Sequence, residues 1–159
     1  MIADTSLSMA GFSNPTPGTF GAGSYSGWGA IISTYSFSQA DLPMGISLRC
    51  NSPDNIHMGF QSSASRTSSY SQPWGNIECQ GNNVDVDWHG NKVSVATTTS
   101  TDIVTMIMAD RSIKYYVGGT LRHTSSLTVP ASSFPIEYRI SPYSSASGTV
   151  THAQFVSSA

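Results

Sequence analysis

Asp85-Val86-Asp87-Trp88-His89 is the stretch whose residue types and spacing could do chemistry. Side chains alternate along an extended strand, so Asp85, Asp87 and His89 share one face while Val84, Val86 and Trp88 share the other. Neighbouring carboxylates can push their pKa values apart into an acid and a base. That is the division of labour that cleaves a glycosidic bond. The same oxygens are hard ligands that would suit calcium, provided about six oxygens converge. The plain alternative for Asp85 and Asp87 is a solvent-facing strand surface that alternates with core residues.

A second chemistry is sugar recognition, in which an aromatic face stacks on a ring beside amide and carboxylate hydrogen bonders. Tyr70, Trp74 and Asn76 lie in a loop-like stretch with Arg66 nearby, and Tyr143 lies in a Ser-Pro-Tyr-Ser loop. A loop tryptophan can equally fold back to cap a core. Trp28 and Trp88 are expected in the core. The four histidines, His57, His89, His123 and His152, have no metal-binding spacing. Gly21-Ala22-Gly23 precedes no helix and is no phosphate loop, and no nucleophile elbow is present. No cofactor is expected.

The elements that would position these residues are all strands. Ser and Thr make up roughly a quarter of the 159 residues, and only 10% are charged, against about 25% in an average soluble domain. Such a hydroxyl-coated surface suits extracellular, capsid or fibre proteins. The net charge of −2 favours no nucleic acid, and no apolar run is long enough to insert in a membrane. The first residues lack the basic and apolar regions of a signal peptide. The expectation is either a signal already removed or exit by another route, of which release with an assembled virus particle is one that fits the hydroxyl-rich surface. Cys50 and Cys79 point with their apolar neighbours, Ile46-Leu48-Cys50 and Ile77-Cys79. Two buried free thiols are expected ahead of a disulfide.

Residues 1–24 are rich in Gly, Pro and Ser and read as an extended arm; residues 25–159 read as one β-sandwich domain. Beyond Gly27, strands recur with turn signals every 8 to 12 residues or so. The expected strands are Ala30–Tyr35, Gly45–Cys50, Asn55–Gln61, Gly75–Gln80, Asn83–His89 and Lys92–Thr98. Ile103–Ala109, Ser112–Val117, Thr120–Thr124, Ile136–Ile140 and Gly148–Val156 complete the set. In Lys92–Thr98, Val93 and Val95 should point inward. Ile103–Ala109 is apolar on both faces apart from Thr105, as a central strand should be. Asp110-Arg111 and Gly118-Gly119 are two-residue hairpin turns. No window has a helical period. About ten strands in one domain need two packed sheets or a closed barrel.

The order of segments resembles the concanavalin A-like jelly-roll superfamily in its laminin-G and SPRY-like forms. Gly27-Trp28-Gly29-Ala30-Ile31-Ile32 matches an aromatic-led opening strand, and His57-Met58-Gly59-Phe60 a short Gly-hydrophobic strand. A long loop holding Ser69-Tyr70 and Trp74 follows. Ile113–Leu121 matches the superfamily hairpin, with Asp110-Arg111-Ser112 replacing the usual turn glycine. The resemblance covers roughly residues 25 to 156. It implies an all-β, antiparallel two-sheet jelly roll and a binding module of the kind found on phage tail-fibre or spike tips. A fibre tip further implies a homo-oligomer, a trimer. Retaining glucanases of this superfamily carry Glu-x-Asp-x-Glu on a strand; here Asp85 and His89 stand where the glutamates would be, and histidine is not the usual acid for that reaction.

The expectation is therefore a non-enzymatic adhesion module on a virion or otherwise extracellular surface. It would bind a glycan, a host surface receptor or a neighbouring virion subunit through Arg66, Tyr70, Trp74, Asn76 and Tyr143. The alternatives are a capsid-decoration protein held by its N-terminal arm, or a jelly-roll glycoside hydrolase using Asp85 and Asp87.

Overall fold

The computed structural model describes residues 31–49, 56–64, 74–88, 91–97, 102–142 and 151–157. Their alternating apolar positions form eleven strands: β1 (Ile31–Phe37), β2 (Met44–Arg49), β3 (Ile56–Ser62), β4 (Trp74–Gln80), β5 (Asn83–Trp88), β6 (Asn91–Thr97), β7 (Ile103–Ala109), β8 (Ser112–Val117), β9 (Thr120–Thr128), β10 (Ile136–Pro142) and β11 (Thr151–Ser157). The described helical structure is two single 3-10 turns, Gln39–Asp41 and Ala131–Ser133. The expected all-β sandwich is what the chain forms. The N-terminal arm lies outside the described residues.

Two antiparallel sheets pack face to face. One has six strands in the order β1-β10-β3-β4-β5-β6; the other has five, in the order β11-β2-β7-β8-β9. The apolar strand Ile103–Ala109 is central in the five-stranded sheet, as its two apolar faces require. Between the sheets lie Ile46, Leu48, Met58, Ile77, Val84, Val104, Met106, Ile113 and Ile140, all fully buried. Phe37 meets Phe60 and Phe134 edge-on at ring centroid distances of 6.1 and 6.3 Å. It also meets Tyr138 at 5.3 Å, so one aromatic cluster ties β1, β3, β10 and the second 3-10 turn together.

The turns behave as their residues dictate. Gly118 and Gly119 both have positive φ, and so do Asp110 and Arg111 at 48° and 65°. These are the conformations that let a two-residue loop follow the twist of its strands. For Arg111 the left-handed backbone is unfavourable. It is offset by ties to the segment after β9: the Val129 N–H donates to the Arg111 carbonyl at 2.9 Å, and Arg111 Nη1 donates back to the Val129 carbonyl at 3.3 Å.

Three expectations need correction. Cys79 is disulfide-bonded rather than a free thiol; the sequence holds one other cysteine, Cys50, outside the described residues. Trp74 belongs to β4 and not to a loop, beside Asn76 of the expected strand Gly75–Gln80. Val93 sits opposite Val86 on the core side of β6 yet is 50% exposed, because β6 is an edge strand whose neighbourhood the opposite sheet leaves open.

Candidate functional site

The outer face of the six-stranded sheet carries a grid of hydrogen-bonding side chains. The register sets His57 opposite Glu78, Glu78 opposite Asp85, and Asp85 opposite Ser94, in one row across β3, β4, β5 and β6. The next row holds Asn76 opposite Asp87, and Asp87 opposite Lys92. Further along, Glu137 lies opposite Gln61, and Arg139 opposite Gly59.

A bulge keeps Trp74 off this face. Between Met58/Ile77 and Phe60/Trp74, β4 spends one residue more than β3. The extra residue is accommodated at Gly75, whose φ is +60°. A β-bulge shifts the alternation by one position. Asn76 and Glu78 share the outer face by ordinary alternation, whereas the bulge turns Trp74 inward, where it packs against the core. Only glycine serves here, because a Cβ at Gly75 would lie 2.3 Å from Ile113 Cδ1 and 2.5 Å from Tyr115 Oη.

The face is polar but screened from solvent. His57, Gln61, Asn76, Glu78, Asp87, Glu137 and Arg139 are all buried. The reading of Asp85 and Asp87 as an ordinary solvated strand surface is thus overturned for Asp87, and Asp85 keeps a side-chain exposure of only 14%. Buried polar groups require partners, and they have them. Asn76 Nδ2 donates to His57 Nδ1 at 2.6 Å, which leaves the imidazole proton on Nε2. That atom faces Glu78 Oε1 at 3.3 Å, a long and poorly aligned contact of a neutral N–H with a carboxylate. Gln61 Nε2 donates to Glu137 Oε1 at 2.7 Å, and Arg139 Nη1 approaches Gln61 Oε1 at 3.5 Å.

Lys92 organises the row. Its ammonium reaches Glu78 Oε2 and Asp85 Oδ2 at 3.3 Å. The hydrogen bond to Glu78 raises the Lys92 pKa above its ordinary value, so the group is cationic at neutral pH. Burial lowers the His57 pKa below 6.5, outweighing the carboxylates of Glu78 and Asp87, so its imidazole is neutral. Burial likewise lowers the Arg139 pKa.

Of the residues singled out in the sequence, Asn76, Asp85 and Asp87 meet on this face, and Trp74 lies on the other side of the same sheet. Arg66, Tyr70, Tyr143 and His89 lie outside the described residues. Among the described residues no group of three His, Cys, Asp or Glu side chains is arranged to hold a metal ion; Asp85 is engaged by Lys92 at 3.3 Å. His57, Glu78 and Lys92 were missed. Glu78 had a local signal, since the Gly81-Asn82 turn sets it opposite Asp85.

No family model and no curated protein matches the sequence. Solved structures do match in fold. A carbohydrate recognition domain of Emp46p aligns at a TM-score of 0.59 with 11% identity, covering 93% of this chain and 88% of that one. The SPRY domain of human HERC1 aligns at 0.58 with 13% identity, covering 87% and 86%. A Bacillus licheniformis β-glucanase aligns at 0.53 with 14% identity, covering 82% and 71%. The fold is thus a concanavalin A-like jelly roll, as the order of segments implied. At these identities the likeness is one of fold alone.

Proposed function

We propose that this chain is a non-enzymatic recognition module for glycans, acting at a virion or other extracellular surface, with the β4–β6 part of the polar face as its ligand surface. The observation that carries the reading is the row Glu78, Asp85 and Lys92. A fixed ammonium beside a fixed carboxylate offers paired donors and acceptors at a spacing suited to neighbouring sugar hydroxyls. Asp85 and Lys92 are its accessible members. Glu78, His57 and Asn76 beneath them hold the orientation, the pre-organisation that lowers the entropic cost of binding.

The same ion pairing argues against hydrolysis. Glycoside cleavage needs one carboxyl free to donate a proton and a second free to attack or activate water, whereas Lys92 engages both Glu78 and Asp85. The disulfide at Cys79 suits an oxidising compartment, and the hydroxyl-rich surface of low charge suits a displayed protein.

A glycan array read with the wild type and Asp85→Asn, together with a reducing-sugar assay on the bound glycans, tests this. Selective binding lost in Asp85→Asn without turnover is the expected result. Turnover that disappears in Asp87→Asn would replace the reading with a hydrolase. A blank array on folded protein would remove glycan recognition and turn attention to protein partners.

A further inference from the structure

The opposite side of β5 carries a different feature. Where the edge strand β6 of one sheet approaches the edge strand β9 of the other, the sandwich opens into a cleft of about 180 Å³. Val86, Trp88, Val93 and Leu127 form its apolar walls, and His123 and Ser126 supply polar atoms. Val93 and Leu127 are half-exposed, at 50% and 51%. Two of the three exposed large aliphatic side chains among the described residues thus converge on one opening. Ser125 also lines it, but its hydroxyl is spent within the protein, accepting from the Ile113 N–H at 3.1 Å and donating to the Leu127 carbonyl at 2.7 Å.

We propose that this cleft is a binding site for one uncharged pyranose ring, a second site beyond the polar face. Three observations select that ligand class. The described lining contains no carboxylate, ammonium or guanidinium, so a charged ligand would be desolvated without a partner. The volume is below the roughly 300–1,000 Å³ of sites for drug-sized ligands, so it takes one ring and not an oligosaccharide. A lining that joins one aromatic and three aliphatic side chains to the polar atoms of His123 and Ser126 matches a ring with a C–H face and equatorial hydroxyls. A peptide strand is the obvious competitor at two sheet edges, but both edges are irregular. The register breaks once between β5 and β6 and twice between β8 and β9, and bulged edges are poor templates for an added strand.

The test is saturation-transfer and amide-shift NMR on the full 159-residue chain with methyl pyranosides of gluco, galacto, manno and N-acetylgluco configuration. A ligand of about a dozen heavy atoms should bind with Kd on the order of 1 mM. Val93→Arg occludes the mouth at a half-exposed edge position, so the fold survives, as amide dispersion will verify. At least one pyranoside should bind the wild type, shift resonances of Trp88 and His123, and bind Val93→Arg at least ~10-fold more weakly. Leu121→Ser, at an exposed position outside the cleft lining, should leave that binding unchanged. Undiminished binding to Val93→Arg, or no saturation transfer from any of the four sugars, overturns the proposal. Loss in Asp85→Asn alone overturns it too, while leaving the polar-face reading intact.

Discussion

Replacing Gly75 by alanine probes the bulge that turns Trp74 from the polar face into the core. The backbone there has φ +60°, which costs an L-residue about 1–2 kcal/mol. The new methyl would also sit 2.3 Å from Ile113 Cδ1 and 2.5 Å from Tyr115 Oη, with Trp88 Cζ3 at 3.2 Å. Overpacking of that kind adds about 1–3 kcal/mol. The two contributions sum to about 2–5 kcal/mol, a large share of the roughly 5–15 kcal/mol by which a domain is stable. Urea unfolding with an m-value of about 2 kcal/mol/M should then show the midpoint falling by about 1–2.5 M. Tyr115→Phe separates the two causes. The Tyr115 hydroxyl is buried without a hydrogen-bond partner, so its removal alone should stabilise the wild type by about 1 kcal/mol. In the Gly75→Ala background the same change also removes one clashing atom and should recover more than it does in the wild type. A Gly75→Ala protein within about 0.5 kcal/mol of wild type, the range of an ordinary surface change, would refute the bulge argument. Identical Tyr115→Phe effects in both backgrounds would refute its steric half.

Two further expectations concern the ion network. Lys92→Met strands the buried Glu78 carboxylate. Breaking a fully buried pair costs about 3–5 kcal/mol, but Lys92 is 43% exposed, and solvent screening brings the expected loss to about 1 kcal/mol. Adding Glu78→Gln should restore part of it, and a coupling energy of zero in the double-mutant cycle would show that the pair contributes nothing. For His57 the folded-state pKa lies below its ordinary 6.5, so the unfolded chain takes up the proton first. Its contribution is constant above about pH 6.5 and falls as the pH drops from there to the folded-state pKa, with a slope of at most about 1.4 kcal/mol per pH unit. His57→Gln should flatten the stability profile just below about pH 6.5 relative to wild type; parallel profiles would place the proton uptake elsewhere.

The strands were legible because alternation is strong where one face is buried: Ser112–Val117 and Ile103–Ala109 fall where the period-two pattern puts them. The two-residue turns were legible from Asp110-Arg111 and Gly118-Gly119. The site was harder to read because it is assembled across strands. Asp85 and Asp87 share a face by local geometry. Glu78 joins them through a short hairpin, but His57 reaches Glu78 only through the pairing of β3 with β4 across a long connection, and no local pattern encodes that register. Trp74 was misplaced for one reason. A lone glycine in a strand is a bulge signal, and Gly75 decides which of its neighbours faces the core.

Lys92 has a consequence for how the polar face endures its surroundings. Where carboxylates converge, a dissociable divalent ion would make the surface hostage to its concentration and to any chelator. Here the counter-charge is tethered to the backbone at a position opposite Asp87 and in contact with Glu78 and Asp85. It can be neither diluted nor chelated away. The charge balance of Glu78 and Asp85 is thus carried by the chain itself.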